Sequence, residues 1–381
     1  MTMDVVAGRQ IRPVASPPSP GPIELSVIVP TFNERGNVAP LLARLETALG
    51  GVAWEAIFVD DDSPDGTAQQ VKAIAAHDPR VRCLRRVNRR GLAGACIEGI
   101  LGSSATYVAV IDADLQHDET LLPRMLDSLR SGRSDLVVAT RFGAGGSAEA
   151  LSPARGMGSR LARRLAWSLG GVALSDPMSG FFAIRRDRFE PLAASLSPHG
   201  FKILLDIVMR AGGTLRIAEE PYAFGSRVYG ESKLDALVVI EYLGLLISRV
   251  SRDAVTARFL SHALVGVVGL GVHLAALRGG LALGLPFVRA YALGAVVTLG
   301  TSFLVTNLLL THHDRRLRGW AVLRGLLVFC VTSALGLVAG MGTAAWLYTL
   351  RPVWWLAGAA GAGIGAVWSH ATSPRFVWHV K

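Results

Sequence analysis

The sequence predicts an α/β domain built on a mostly parallel sheet, followed by an all-α membrane domain of four helices. Three observations carry this. Short β-rich runs alternate with helix-patterned segments from Leu25 to about Thr140. Acidic residues all but vanish after Asp253, leaving only Asp314, and the same stretch is dominated by Leu, Val, Ala and Gly. The expected organisation is a disordered leader over 1–22, the α/β domain over 23–233, an interface helix or linker over 234–257 and the membrane domain over 258–381.

Taken in order, the leader carries Arg9 and Arg12 ahead of a Pro-rich stretch, Pro13 to Pro22. It lacks the basic-then-apolar pattern of a cleaved signal, so the α/β domain is expected in the cytoplasm. The predicted strands are Leu25 to Pro30, Ala56 to Asp61, Val81 to Arg86, Tyr107 to Asp112 and Leu136 to Thr140. Between the first two, Val38, Leu41, Leu42, Leu45 and Leu49 recur at helical spacing, which predicts a helix beginning just after Asn33-Glu34 with one buried face. Continuous apolar strands imply a sheet covered on both sides.

Leu234 to Ser248 is apolar apart from Asp235 and Glu241. It reads equally as an amphipathic helix lying in the membrane interface and as the last helix of the soluble domain. Four apolar stretches follow, about Phe259 to Leu277, Ala290 to Thr311, Trp320 to Leu350 and Val353 to Thr372, and crossing a bilayer takes about 20 apolar residues. Arg249, Arg252 and Arg258 precede the first, and Arg315, Arg316 and Arg318 lie between the second and third. The positive-inside rule places both groups, and with them the carboxyl terminus, in the cytoplasm, although Arg278, Arg289 and Arg351 fall on the other side. The chain is thus expected to be a multi-pass protein of the cytoplasmic membrane.

The net charge of +10 does not imply nucleic acid. The Arg residues are dispersed or flank apolar spans, and no RNA-binding aromatic signature or zinc spacing accompanies them, so anionic lipid and phosphate are the expected partners. Cys83, Cys96 and Cys330 are too scattered for a disulfide framework or a metal cluster and read as small buried apolar residues.

Ligands of such sheets bind outside the carboxyl ends of the strands. Here those ends are polar: Pro30 to Glu34 after the first, Asp60-Asp61-Asp62 after the second, Asn88 to Gly91 after the third, Asp112-Ala113-Asp114 after the fourth and Arg141 after the fifth. A carboxylate pair such as Asp112 and Asp114, held at a strand end, suits a hard divalent cation, Mg²⁺ or Mn²⁺, shared with substrate phosphates.

Val27 to Glu34, then Val59 to Thr67 with its Ser-Pro-Asp-Gly-Thr, then Asp112 to His117 resemble the family 2 glycosyltransferases, the middle motif most closely the polyprenol-phosphate (dolichol-phosphate) mannosyltransferases. Asp176 to Phe181, Phe201 to Leu205 and Arg227 to Leu234 extend the resemblance to about Leu234. It implies a GT-A fold, Rossmann-like, and transfer of mannose from GDP-mannose to a polyprenyl phosphate. It further implies that Pro30, Phe32, Glu34, Val59 and Asp61 form the nucleoside pocket, with Phe32 where the family commonly has Tyr. Asp112, Ala113, Asp114 and Gln116 would hold diphosphate and metal, the metal ligands being Asp112, Asp114 and Gln116. Lys202, Arg227 and Lys233 would meet the donor phosphates; only Lys72 and Lys381 are lysines outside these motifs. Arg141, Arg155 and Ser159 would bind the lipid phosphate, and Arg141 joins Asp112 and Asp114 as a catalytic candidate. The last four spans resemble, more weakly, a small four-helix family associated with lipid-linked sugars, through Phe259-Leu260, Val265-Gly266, Ser302-Phe303 and Thr306-Asn307.

An acceptor phosphate monoester has its second pKa near 6 and is largely a dianion at neutral pH, so no strong base is required. In-line displacement would invert the anomeric centre. Two alternatives remain at this level: a UDP-glucose-dependent glucosyltransferase, and a membrane translocator of lipid-linked sugar with a degenerate transferase domain. A processive polysaccharide synthase would need a Gln-x-x-Arg-Trp segment, which the sequence lacks. The oligomeric state is left open.

Overall fold

The computed structural model describes residues 22–142, 174–198, 202–223, 225, 247, 257–310 and 316–376. These fall into two units: one holds the described residues up to 142 together with 174–198 and 203–225, the other the helices from 257 onward. All but Pro22 of the expected leader, and all but Ile247 and Ala257 of the expected interface segment, lie outside the described residues.

In the first unit every residue of β1 (Leu25–Thr31) and β2 (Trp54–Asp60) is buried, as a sheet covered on both faces requires. β3 is Val81–Arg85, β4 Tyr107–Val110 and β5 Leu136–Thr140. β6 (Phe182–Arg185) and β7 (Ile217–Pro221) complete a seven-stranded sheet of order β3-β2-β1-β4-β6-β5-β7. All pairings are parallel except those of β6, which runs antiparallel between β4 and β5. β4 and β5 therefore share one direction, and the carboxyl ends of β1 to β5 open on one edge. Pro30 sits within a central strand because the β4 ladder stops at the Ile28–Val110 pair, so its missing N–H breaks no bond on that side.

Helix α1 (Val38–Ala48) starts after a 3₁₀ turn at Arg35–Asn37 and buries Val38, Leu41 and Leu45, with Leu42 half-buried, as the spacing predicts. α2 (Thr67–Ala75), α3 (Leu92–Leu101), α4 (Leu122–Arg130), α5 (Arg186–Ala193) and α6 (Ile203–Ala211) follow. One core joins Val27, Leu41, Phe58, Met125, Val137 and Phe181 across helix and sheet.

The second unit is helical: α7 (Ala257–Ala282), α8 (Phe287–Val305, continued by a π-turn at Thr306–Leu310), α9 (Trp320–Leu350) and α10 (Trp354–Phe376). Among the described residues Ala263–Ala282, Phe287–Leu308 and Trp320–Leu350 are each long and apolar enough to cross a membrane. The fourth expected span coincides with α10, a helix of 23 residues. α9 and α10 meet through paired small residues at one-turn spacing, Gly336 and Gly340 against Gly361 and Gly365. A Cβ on either Gly340 or Gly361 would stand 2.4 Å from the other's carbonyl oxygen, so only glycine permits this approach.

Candidate active site

The loops after β1 and β2 are stitched into one platform. The backbone N–H groups of Asn33, Glu34 and Arg35 donate to Ser63 Oγ (3.0 Å), Thr67 Oγ1 (3.0 Å) and Asp65 Oδ2 (3.1 Å) in turn. Asp65 Oδ1 also accepts from the N–H and hydroxyl of Thr67, so one carboxylate secures the start of α2 and the neighbouring loop together. Desolvation opposes these bonds, yet together they hold Asp65 below the usual carboxylate range.

The three aspartates ending β2 separate into distinct roles. Asp60 is fully buried and accepts from the N–H (2.9 Å) and hydroxyl (2.6 Å) of Ser63, closing the turn. Asp61 accepts from the buried Arg86 and from the Gly91 N–H (2.7 Å), and burial raises its pKa despite these partners. Asp62 takes the Arg85 Nε at 2.8 Å. Pro30 and Val59, expected in the nucleoside pocket, are paired in register and buried, with Val59 facing α3 at Gly99. The half-buried Phe32 ring instead lies under the Arg90 guanidinium, 4.5 Å from its centroid.

At the end of β4 the chain leaves the sheet at Val110, and Asp112 emerges two residues later. Its carboxylate is confined on two sides. His117 Nε2 lies 3.2 Å from Oδ2, and a Cβ on Gly180 would come 2.3 Å from the same oxygen, so a larger residue there would displace the carboxylate. His117 Nδ1 in turn meets the Tyr222 hydroxyl at 2.7 Å, with Phe181 packed against both rings. Burial pushes the Tyr222 hydroxyl well above the usual phenol range, keeping it protonated. Asp114 is nearly buried, and its Oδ1 accepts from the Gln116 N–H at 3.3 Å. Gln116 Nε2 donates to the Gly225 carbonyl (3.0 Å) while the Gly225 N–H returns to Gln116 (2.9 Å).

Backbone strain collects on this edge. Among the described residues, the non-glycine positions with positive φ are Asn33, Asp62, Asn88 and Leu115, which follow β1, β2, β3 and β4 respectively. Left-handed backbone costs a Leu roughly 1–2 kcal/mol, and here the Leu115 carbonyl is held by Arg44 at 3.3 Å.

After β5, Arg141 forms a forked pair with the fully buried Asp176, Nε to Oδ2 at 2.7 Å and NH2 to Oδ1 at 2.9 Å. Desolvation works against its charge, but Asp176 overcomes it and raises the Arg141 pKa.

The sequence matches the family described as glycosyl transferase family 2 over residues 26–192, and the GtrA/DPMS transmembrane domain over residues 261–378. It is 35% identical over 257 residues to a dolichol-phosphate mannosyltransferase of Pyrococcus furiosus, an alignment covering 66% of this chain and 70% of the relative. A dolichol-phosphate mannosyltransferase of Mycosarcoma maydis is 39% identical over 230 residues, 58% of this chain and 77% of its own. The chain belongs to the family 2 glycosyltransferases of the dolichol-phosphate mannosyltransferase type. Among solved structures, glucosyl-3-phosphoglycerate synthase from Mycobacterium tuberculosis is similar over 60% of this chain and 80% of its own, with 21% identity and a TM-score of 0.47.

The catalytic unit of this glycosyltransferase is thus a GT-A domain with the Asp112–Asp114 pair at the carboxyl end of β4. Among the described residues no three His, Cys, Asp or Glu side chains are grouped to hold a metal. Two carboxylates with one amide oxygen, Gln116 Oε1, suit a hard cation that completes its shell from a diphosphate rather than one caged by protein. Lys202 directly precedes α6 and is half-buried. Arg155, Ser159, Arg227 and Lys233 lie outside the described residues.

The sequence reading gave no role to Ser63, Asp65 and Thr67 as loop anchors, to Arg86 as the partner of Asp61, to Asp176 as that of Arg141, or to the His117–Tyr222 pair. His117 and Asp176 stand inside recognised motifs, which was the available signal. Arg86 and Tyr222 carry none, since their partners lie 25 and 105 residues away.

Proposed function

We propose that this transferase moves mannose from GDP-mannose to a polyprenyl phosphate, with inversion, at the cytoplasmic face of the cytoplasmic membrane. The observation that carries the reading is the acidic pair Asp112 and Asp114 at the β4 end of a chain whose relatives are named dolichol-phosphate mannosyltransferases. The platform of Phe32, Glu34 and Asp61 receives the nucleoside, supported from below by Pro30, Val59 and the Ser63–Asp65–Thr67 stitches. Asp112, Asp114 and Gln116, with the Ala113 backbone between them, would hold Mg²⁺ or Mn²⁺ together with the donor diphosphate. When bound, that cation supplies charge stabilisation for the departing nucleoside diphosphate.

His117, anchored by Tyr222, and the close backbone at Gly180 keep the Asp112 carboxylate from rotating away. Arg141, fixed by Asp176, presents positive charge to the acceptor phosphate, and Arg155 and Ser159 serve the same anion. Lys202, Arg227 and Lys233 attend the donor phosphates. The acceptor oxygen is already ionised, so catalysis rests on alignment and electrostatics rather than on a base.

The donor is tested by nucleotide competition on the full-length protein. GDP should inhibit transfer at least ten times more strongly than UDP, with GDP-mannose as productive donor. Stronger inhibition by UDP, with turnover of UDP-glucose, would replace the donor assignment while leaving the site intact.

A further inference from the structure

The polar loop after β3, residues 88–91, ends on the same sheet edge as the nucleoside platform but has no part in the transfer chemistry above. It is firmly anchored all the same. Asn88 turns it through a positive φ. The Gly91 N–H donates to Asp61 Oδ2 (2.7 Å), the Gly91 carbonyl accepts from the buried Arg86 (3.1 Å), and the Arg89 guanidinium donates to Glu98 (2.8 Å). Arg90 stands between these anchors, so its backbone is fixed against the aspartate expected in the nucleoside pocket.

From there the Arg90 side chain reaches across the end of β2 and covers the Phe32 ring, which follows β1. β3 lies three strands from β4, roughly 14 Å at about 4.8 Å per strand, so Arg90 belongs to the nucleoside side of the edge and not to the Asp112 side. A guanidinium carries five N–H donors in one plane, and covering a ring uses none of them. The acidic members of the platform, Glu34 and Asp61, can only accept when ionised. The ring N–H of guanine and that of uracil satisfy such acceptors alike, so the carboxylates do not separate the two bases. The difference between bases lies in their acceptors. Guanine shows N7 and O6 side by side, adenine shows N7 beside an amino group, and uracil shows O4 beside a C–H. Reading the guanine pattern takes a two-pronged donor, which an arginine supplies and a lysine does not.

We infer that Arg90 is a specificity-determining residue of the donor site, whose guanidinium, carried on the Phe32 ring, reads O6 and N7 of a guanine base. The inference rests on the GDP-mannose reading of the donor and adds to it a named contact for the base. A guanine analogue without N7 loses one of the two bonds, and uracil offers a single acceptor to the same fork.

The test is isothermal titration calorimetry on the full-length protein in lipid nanodiscs with Mg²⁺, using GDP, 7-deaza-GDP and UDP. Wild type should bind 7-deaza-GDP and UDP each about tenfold more weakly than GDP, or worse. In Arg90→Ala and in Arg90→Lys, GDP and 7-deaza-GDP should come within about threefold of each other, with the loss falling on GDP while UDP is little changed. Arg90→Lys keeps the charge and the backbone anchors but not the fork, so it decides the matter if Arg90→Ala fails to fold. UDP binding the wild type more tightly than GDP would sink the donor reading and this inference together. A wild type that prefers GDP to UDP yet binds 7-deaza-GDP equally well, or that keeps its GDP to 7-deaza-GDP ratio in either folded variant, would overturn the Arg90 assignment and leave the donor reading standing. Equal weakening of all three nucleotides would do the same.

Discussion

At the scale of single residues, Asp61, Asp112 and Arg141 each have a fixed neighbour among the described residues. Arg141 and Asp176 make the sharpest case, since the carboxylate is fully buried and its forked bonds fill one edge of the guanidinium. Breaking such a buried pair from one side costs about 3–5 kcal/mol, mainly through the charge left behind. Asp176→Asn is therefore expected to lower the unfolding free energy of the catalytic unit by roughly 3 kcal/mol, and Arg141→Leu combined with Asp176→Leu should recover part of that loss. A melting temperature for Asp176→Asn within one degree of wild type would show that the pair does not hold the β5 end. The acidic pair was legible in the sequence because two carboxylates directly after an apolar strand have few structural uses. Asp176 was legible only as part of a motif, because its partner is 35 residues distant and side-chain pairing at that range leaves no periodic trace.

At the scale of elements, β1 to β5 and α1 could be read from apolar runs and helical spacing, whereas β6 and β7 could not. β6 is only four residues long and follows a motif that drew attention to its polar side chains. β7 is Ile-Ala-Glu-Glu-Pro, an edge strand with neither a continuous apolar run nor a clean alternation. The antiparallel insertion of β6 is therefore a tertiary feature, set by the return of the chain after Gly180 rather than by local preference. The α9–α10 seam is local in spacing but was hidden in a uniformly apolar stretch. Gly340→Leu must push against the Gly361 backbone and is expected to cost about 1–3 kcal/mol. Gly342→Leu, whose Cβ meets nothing within 4 Å, should cost little. Thermal unfolding of both variants in detergent checks this, and equal midpoints would contradict the close-packed seam.

At the scale of the whole molecule, one chain joins an α/β unit whose polar strand ends share an edge to a helical unit that matches a transmembrane domain. The division was legible because acidic residues nearly stop at Asp253. The number of crossings was less so: among the described residues three helices meet the length and apolarity of a span, in a uniformly apolar stretch where span boundaries leave little trace. The central claim is that the Asp112–Asp114 edge catalyses mannosyl transfer to a lipid phosphate. Its most direct test is mass spectrometry and NMR of the lipid formed when full-length protein in vesicles is given polyprenyl phosphate with isotope-labelled GDP-mannose and UDP-glucose together. The account predicts a β-linked mannosyl phosphate lipid carrying the GDP-mannose label, reduced at least a hundredfold in Asp112→Asn and in Asp114→Asn. A product carrying only the glucose label, or one formed undiminished by either variant, would contradict it.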